Sequence, residues 1–409
     1  MYEKLSKIFY KNESKYIDEY EKRIADYATF HLPLEITHYQ TKEKSRCFYV
    51  NHTHLAMQQE HILQGSRLIR ELMRQLPPKV IEDYIRGKLI DEIVNTNEIE
   101  GVQSTRVEIL GVYVQLKKSR TPRKMRFSNI VASYQYLLDS NFKNRISSFA
   151  EIREIFDHIV SEDLEEGALP DGELFRKEGV EVVTATQKVL HKGVATEGEI
   201  ALNLKAMIEF LNNSEYPVLA RIAISHYYFG YIHPFYDGNG RTSRYISSIY
   251  LKRELDVLTA MTLSFATNHY KKQYYEGFND ANNRLNKGEL TFFCETFFDI
   301  LIYSQESVID ELRINYRKLR VLQEALEDYK TLMTEVEMNA LYIVGQSYIY
   351  NLEGSGITKQ ELEEECELSS HKMTQIINTL LEQDHIQKIK QRPFTITLSD
   401  KMIESVESI

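Results

Sequence analysis

The run His233-Pro234-Phe235-Tyr236-Asp237-Gly238-Asn239-Gly240-Arg241-Thr242-Ser243-Arg244 constrains this chain more than any other stretch. Upstream of it, Val218 to Ile232 carries apolar residues at helical spacing, and Pro234 then forces His233 out of helical geometry, so a loop must begin there. Asp237-Gly238-Asn239-Gly240 is a turn sequence that admits positive φ and lets successive N–H groups point into one concavity. A second helix is expected from Arg241 to about Arg253. Its free N–H groups and positive dipole end favour an anion, and the loop amides supply a nest for phosphate oxygens. Arg241 and Arg244 stand at i and i+3, so both guanidinium groups lean over the same helix end. Asp237 is a hard oxygen ligand of the kind Mg²⁺ takes when it bridges two phosphates, and His233, if unperturbed, titrates near neutrality, where it can accept a hydroxyl proton. The stretch reads as a helix-loop-helix polyphosphate site with a base at its edge.

At these residues the sequence resembles the Fic family, whose signature is His-x-Phe-x-(Asp or Glu)-Gly-Asn-(Gly or Lys)-Arg-x-x-Arg, and every signature position is matched. The resemblance implies a mainly α fold: a Fic-type helical core with a β-hairpin flap. It also implies Mg²⁺-dependent transfer of AMP from ATP to a Tyr, Ser or Thr hydroxyl of a target protein or of the chain itself. His233 would be the base, Asp237 the metal ligand, Gly238, Asn239 and Gly240 the anion hole, and Arg241 and Arg244 the phosphate-binding arginines. Family members also move phosphocholine, UMP or phosphate, so the signature leaves the transferred group open.

A helix is expected from about Val80 to Glu98, with Ile81, Ile85, Leu89, Ile93 and Val94 on one side and Gly101 as its stop. Its last turn, Thr96-Asn97-Glu98-Ile99-Glu100-Gly101, resembles the inhibitory motif (Ser or Thr)-x-x-x-Glu-(Gly or Asn) of autoregulated Fic proteins. Physically the motif is an ion pair. Glu100 would hold Arg244 in a bidentate carboxylate-guanidinium contact and put negative charge where a triphosphate must lie. Thr96 and Gly101 complete the motif.

The net charge of −10 over 409 residues argues against a generally basic nucleic-acid binder. Cys47, Cys294 and Cys366 are odd in number and far apart, as in a reducing compartment without a disulfide framework. The first residues lack an apolar signal core and no stretch offers about twenty uninterrupted apolar residues, so the expectation is a cytoplasmic protein with no membrane partner. Residues 1–110 are expected as an N-terminal helical region, 111–302 as the catalytic core, 303–335 as a linker helix and 336–409 as a further domain. The basic run Lys117 to Arg126 is expected as a solvated loop into the core.

Gly179 to Val183 and Lys188 to His191 are short β-like runs, which predict a hairpin over 179–191. It occupies the place of the family's flap, where a strand edge can pair with an extended segment of a target. Lys271-Lys272-Gln273-Tyr274-Tyr275 resembles the family's Tyr-Tyr segment, in which one ring would meet the base or ribose of ATP. In the last part, Thr358-Lys359-Gln360-Glu361 is a capping box, Ser369 or Ser370 caps a further helix through Glu382, and Ile386 to Lys390 and Phe394 to Leu398 make two strands. This resembles a winged helix (an α+β module), for which DNA contact and protein contact are both open, homodimerisation included. Two further readings also stand. The same residues serve removal of AMP from modified proteins, with Glu100 activating a water, and a DNA-binding regulator could keep the pocket as a nucleotide sensor.

Overall fold

The apolar and polar periods of the sequence resolve into a mainly α fold with three small sheets among the described residues. The computed structural model describes residues 2–118, 125–139, 142–160, 164, 166–183, 189–350 and 356–407. Most of the basic run (119–124), the middle of the segment predicted as a hairpin (184–188) and residues 351–355 lie outside them.

The chain divides into two units, residues 1–67 with 89–306 and residues 68–88 with 307–409. The first opens with α1 (Leu5–Lys11) and α2 (Glu13–Ala25), then a hairpin of β1 (Thr29–Thr37) and β2 (Lys44–Val50). Helices α3 (Thr53–Arg74) and α4 (Pro78–Ile99) are divided between the units. Next come α5 (Arg106–Lys118), α6 (Ser128–Leu138), α7 (Phe149–Ile159), a hairpin of β3 (Glu181–Val183) and β4 (Val189–Lys192), and α8 (Glu197–Leu211). Helices α9 (Val218–Ile232) and α10 (Asn239–Glu254) follow, then α11 (Val257–Ala260), α12 (Leu263–His269), α13 (Lys271–Asn282) and α14 (Thr291–Glu327), the last again divided.

Helix α9 packs against both α8 and α10 and is buried almost throughout, as expected of a helix that is apolar all round. Its tyrosines anchor the first hairpin: the Tyr231 hydroxyl accepts from the Thr37 N–H at 2.7 Å, and the Tyr228 hydroxyl donates to the Glu35 carbonyl at 2.8 Å. The loop between β1 and β2 reaches the second hairpin, where the Tyr39 hydroxyl donates to the Val189 carbonyl at 3.2 Å. At the N-terminus a buried Arg23–Glu289 pair at 2.8 Å secures α2.

Helix α10 is the opposite case. It buries Asn239, Arg241, Thr242, Ser243, Arg244, Ser247 and Ser248, far more polar surface than a packing helix needs. Burying such groups is costly unless each is hydrogen-bonded, so a helix like this is retained for a site.

The second unit continues with α15 (Glu335–Tyr350), β5 (Ile357–Thr358), α16 (Lys359–Glu365), α17 (Ser370–Glu382), β6 (Ile386–Lys390), β7 (Thr395–Leu398) and α18 (Asp400–Glu407). Its sheet has β7 between β5 and β6, all antiparallel. Thr358 and Glu361 form a full capping box on α16, and the Ser369 side chain caps α17. Among the described residues no helix is long and apolar enough to cross a membrane.

Candidate active site

The loop between α9 and α10 is held from beneath. Phe235 is fully buried and stacks on Phe156 with ring centroids 3.8 Å apart. Asn239 closes the loop on itself, its Oδ1 accepting from the Phe235 N–H at 3.0 Å and its Nδ2 donating to the Phe235 carbonyl at 2.9 Å. The Asn239 side chain is thus a brace, and what it can offer an anion is its backbone N–H. Helix α10 begins at Asn239, two residues before the expected Arg241, so the first-turn amides belong to Asn239, Gly240 and Arg241. The turn into it needs Gly238, which lies at φ +75°, and a Cβ there would come within 2.2 Å of Val160 Cγ1. Gly238→Ala is expected to cost about 1–3 kcal/mol, read as a lower denaturation midpoint.

His233 ends α9 in the left-handed region at φ 53°, uncommon for a residue with a side chain, and its N–H is bound to the Phe229 carbonyl at 2.9 Å. Nδ1 lies 3.3 Å from the Gly230 carbonyl. A carbonyl only accepts, so Nδ1 carries the proton and Nε2 keeps its lone pair. Burial, reinforced by the neighbouring His191, pushes the His233 pKa down to about 4, and the imidazole is neutral at physiological pH. The second hairpin lies close by: the buried His191 on β4 donates from Nε2 to the Tyr231 carbonyl at 2.7 Å.

Asp237 is exposed, and its Oδ1 accepts from the Gly238 N–H. Among the described residues no group of three or more His, Cys, Asp or Glu could hold a metal alone. One open carboxylate beside the first turn of a helix is nevertheless the donor set that suits Mg²⁺ arriving with a polyphosphate, where phosphate oxygens and water complete the shell.

Helix α4 approaches α10 from the other side. Its C-terminus closes as a Schellman turn, with the Val102 N–H on the Asn97 carbonyl at 2.9 Å and Gly101 at φ 77°. That leaves Glu100 at the C-cap, where its charge faces the negative end of its own helix. The compensation is Arg244, whose Nη2 donates to Glu100 Oε1 at 2.8 Å. Arg244 also donates from Nε to Thr96 Oγ1 at 2.9 Å and from Nη2 to the Thr96 carbonyl at 3.1 Å. The sequence predicted a bidentate pair. Here one carboxylate oxygen is engaged, because Thr96 takes the Nε edge of the guanidinium, and Nη1 is buried without a partner. Burial works against the charge on Arg244, but Glu100, helped by Tyr274 and Tyr275, outweighs it and raises the arginine's pKa.

Gly240 makes this approach possible, since a Cβ there would lie 2.1 Å from Glu100 Oε1 and 3.0 Å from Arg244 Nη1. The Glu100 carboxylate therefore rests on the first turn of α10, where a helix end binds an anion. Arg241, also on that turn, is buried.

Tyr274 and Tyr275 part company. Tyr274 is buried with its hydroxyl 2.8 Å from His226 Nε2, and His226 Nδ1 meets the Ser247 and Ser243 hydroxyls at 2.9 and 3.0 Å. Tyr275 is 41% exposed, and burial, together with Glu100, pushes its pKa up to about 12. Tyr274 therefore supports the floor beneath Ser243, and Tyr275 keeps an open ring face.

Residues 147–251 match the sequence profile described as the Fic/DOC family, spanning α7 to α10. The chain carries a Fic/DOC family domain. Among solved structures, a Fic family protein from Desulfovibrio desulfuricans G20 is similar at TM-score 0.50 and 17% identity, covering 83% of this chain and 96% of that one. A Fic domain containing signaling protein from Bacteroides thetaiotaomicron is similar at TM-score 0.46 and 20% identity, covering 62% and 97%. The Fic domain thus brings together His233, Asp237, the α10 amides and Arg244, with Glu100 supplied from outside the matched segment.

Sequence reasoning missed Arg176, Glu197 and His226, which contribute no signature position. The one signal was the Thr196–Glu199 capping box, which fixes the start of α8 beside Glu197.

Proposed function

We propose that the protein is a Mg²⁺-dependent adenylyltransferase that moves AMP from ATP to a protein hydroxyl, and that Glu100 holds it in a resting state. The observation that carries this reading is the Glu100 carboxylate seated on the first turn of α10 and paired with Arg244. An anion of the chain itself occupies the seat a triphosphate needs. In the reaction, His233 Nε2 takes the proton of the target hydroxyl, the hydroxyl oxygen bonds to the α-phosphorus, and the bond to the β-phosphate oxygen breaks to release pyrophosphate. The amides of Asn239, Gly240 and Arg241 and the Arg241 guanidinium meet the developing charge. Arg244, once released, takes the γ-phosphate. Asp237 would hold Mg²⁺, which when bound neutralises adjacent phosphate oxygens.

Intact-mass analysis after incubation with ATP and Mg²⁺ tests the reading: an AMP adduct is expected on the protein or on an added target. Absence of any adduct with the Glu100→Gly variant contradicts it. Asp237→Ala should weaken Mg²⁺-dependent ATP binding about tenfold while leaving metal-free binding unchanged, read by calorimetry with and without Mg²⁺. Unchanged metal dependence removes Asp237 from the metal site.

One observation favours a second reading, removal of AMP. Only Oε1 of Glu100 is held by Arg244, and the side chain is 22% exposed, so Oε2 is placed to orient a water. Glu100→Gln should then abolish release of AMP from pre-modified protein. Release at the unmodified rate discards this reading.

A further inference from the structure

Arg176 is completely buried, yet its side-chain partners are main-chain carbonyls. Nε donates to the His233 carbonyl at 2.8 Å, Nη2 to the Val194 carbonyl at 2.7 Å and the Ile232 carbonyl at 3.4 Å, and Nη1 to the Glu178 carbonyl. Its own N–H binds the Pro234 carbonyl at 3.2 Å. A buried charge is normally retained only with an opposite charge beside it. Here charge-assisted bonds to four carbonyls take that place, and among the described residues no carboxylate pairs with Arg176. Burial pushes its pKa down to about 10, so it stays charged at neutral pH.

The positions of those carbonyls give the charge a purpose. Glu178 leads into β3, Val194 follows β4, and Ile232 and His233 close α9. One planar fork therefore spans both roots of the hairpin and the backbone of the base, a geometry that a lysine's point charge cannot reproduce. The fit is close: a Cβ on Gly193 would stand 2.6 Å from Arg176 Nη2 and 3.0 Å from His233 Cβ. The segment carrying Arg176 is itself fixed. The Glu197 carboxylate, at the start of α8, accepts from the N–H groups of Glu173, Leu174 and Phe175 at 3.1, 2.7 and 2.9 Å.

We propose that Arg176 is a positioning residue that ties both roots of the β3–β4 hairpin to the His233 carbonyl, so that the hairpin and the base are held as one piece. Its kinetic consequence rests on the adenylyl-transfer reading; the clamp itself does not. A target segment laid along the hairpin then meets Nε2 in fixed register, and loosening the clamp slows the chemical step without weakening ATP binding.

The test uses the full chain carrying Glu100→Gly, with Arg176→Lys and, because a variant of a closed interior can fail to fold, Glu197→Ala at the half-buried outer end of the same relay. Transfer of α-phosphate label from ATP should fall about 100-fold in kcat for Arg176→Lys and severalfold for Glu197→Ala, with KM for ATP within about twofold of the parent. Amide hydrogen exchange should quicken about tenfold or more at residues 189–194 and 232–236 in both variants, with the interior of α8 unchanged. Unchanged exchange in those segments in a folded Arg176→Lys, or in Glu197→Ala if the former does not fold, overturns the proposal, as does a rise in KM with kcat preserved. A parent that transfers no label refutes the proposed reaction instead, and the exchange measurement still decides the clamp.

Discussion

Glu100→Gly is expected to raise the rate of AMP transfer by about 100-fold, equivalent to about 2.7 kcal/mol returned to the productive complex. In the structure Arg244 is spent on Thr96 and Glu100, and the carboxylate stands against the first turn of α10. Removing it frees a charge-assisted donor for the γ-phosphate and takes a repelling charge out of the anion seat. The substitution has a cost. Arg244 remains buried with Thr96 as its surviving partner, so the nucleotide-free variant should lose on the order of 2 kcal/mol of stability. Mg·ATP should then raise its melting temperature more than that of the parent, because the triphosphate replaces the lost partner. Glu100→Gly combined with Arg244→Ala should return to the resting rate. An unchanged rate in Glu100→Gly would make the end of α4 purely structural.

His233→Ala is expected to lower transfer by about 10³-fold or more in the activated background, the size of effect that loss of a positioned general base produces. ATP affinity should stay within about twofold, since in the proposed reaction the imidazole would face the hydroxyl while α10 and its arginines would hold the phosphates. The pH profile offers an independent check. Burial first, and the neighbouring His191 second, hold the His233 pKa near 4. The proton-accepting form dominates at every pH above that value, so activity should be flat from pH 7 down to about pH 5 and fall only as pH drops through the histidine's pKa. An acid limb centred near the ordinary histidine value, about 6.5, would contradict the neutral base with its lowered pKa.

How much of this was legible in the sequence depends on the range of the forces involved. Local chemistry could be read directly: the break after Ile232, the turn at Gly238, the stop at Gly101 and the caps at Thr358 and Ser369 are each written within a few residues. The Glu100–Arg244 contact was legible only because both ends sit in motifs. Its geometry was not, since whether the guanidinium meets one carboxylate oxygen or two depends on Thr96, one helical turn upstream. The bracing role of the Asn239 side chain was not legible, because whether its amide reaches back to Phe235 is a competition between loop and ligand that residue type does not decide. The pairing of Thr29–Thr37 with Lys44–Val50 was illegible too, because Pro33 and the irregular register between His31 and Glu35 blur the alternation. Arg176 is the extreme case. An arginine whose partners are backbone carbonyls distant in sequence leaves no pattern of residue types behind.

The most direct measurement is a comparison of two labels in the Glu100→Gly protein. Equal samples are incubated with Mg²⁺ and ATP labelled at the α-phosphate or at the γ-phosphate, and covalently bound label is counted on the protein itself and on proteins of a matched cell extract. Adenylyl transfer predicts label from the α-phosphate alone, lost in Glu100→Gly with His233→Ala. Label from the γ-phosphate, or none from either, would contradict it.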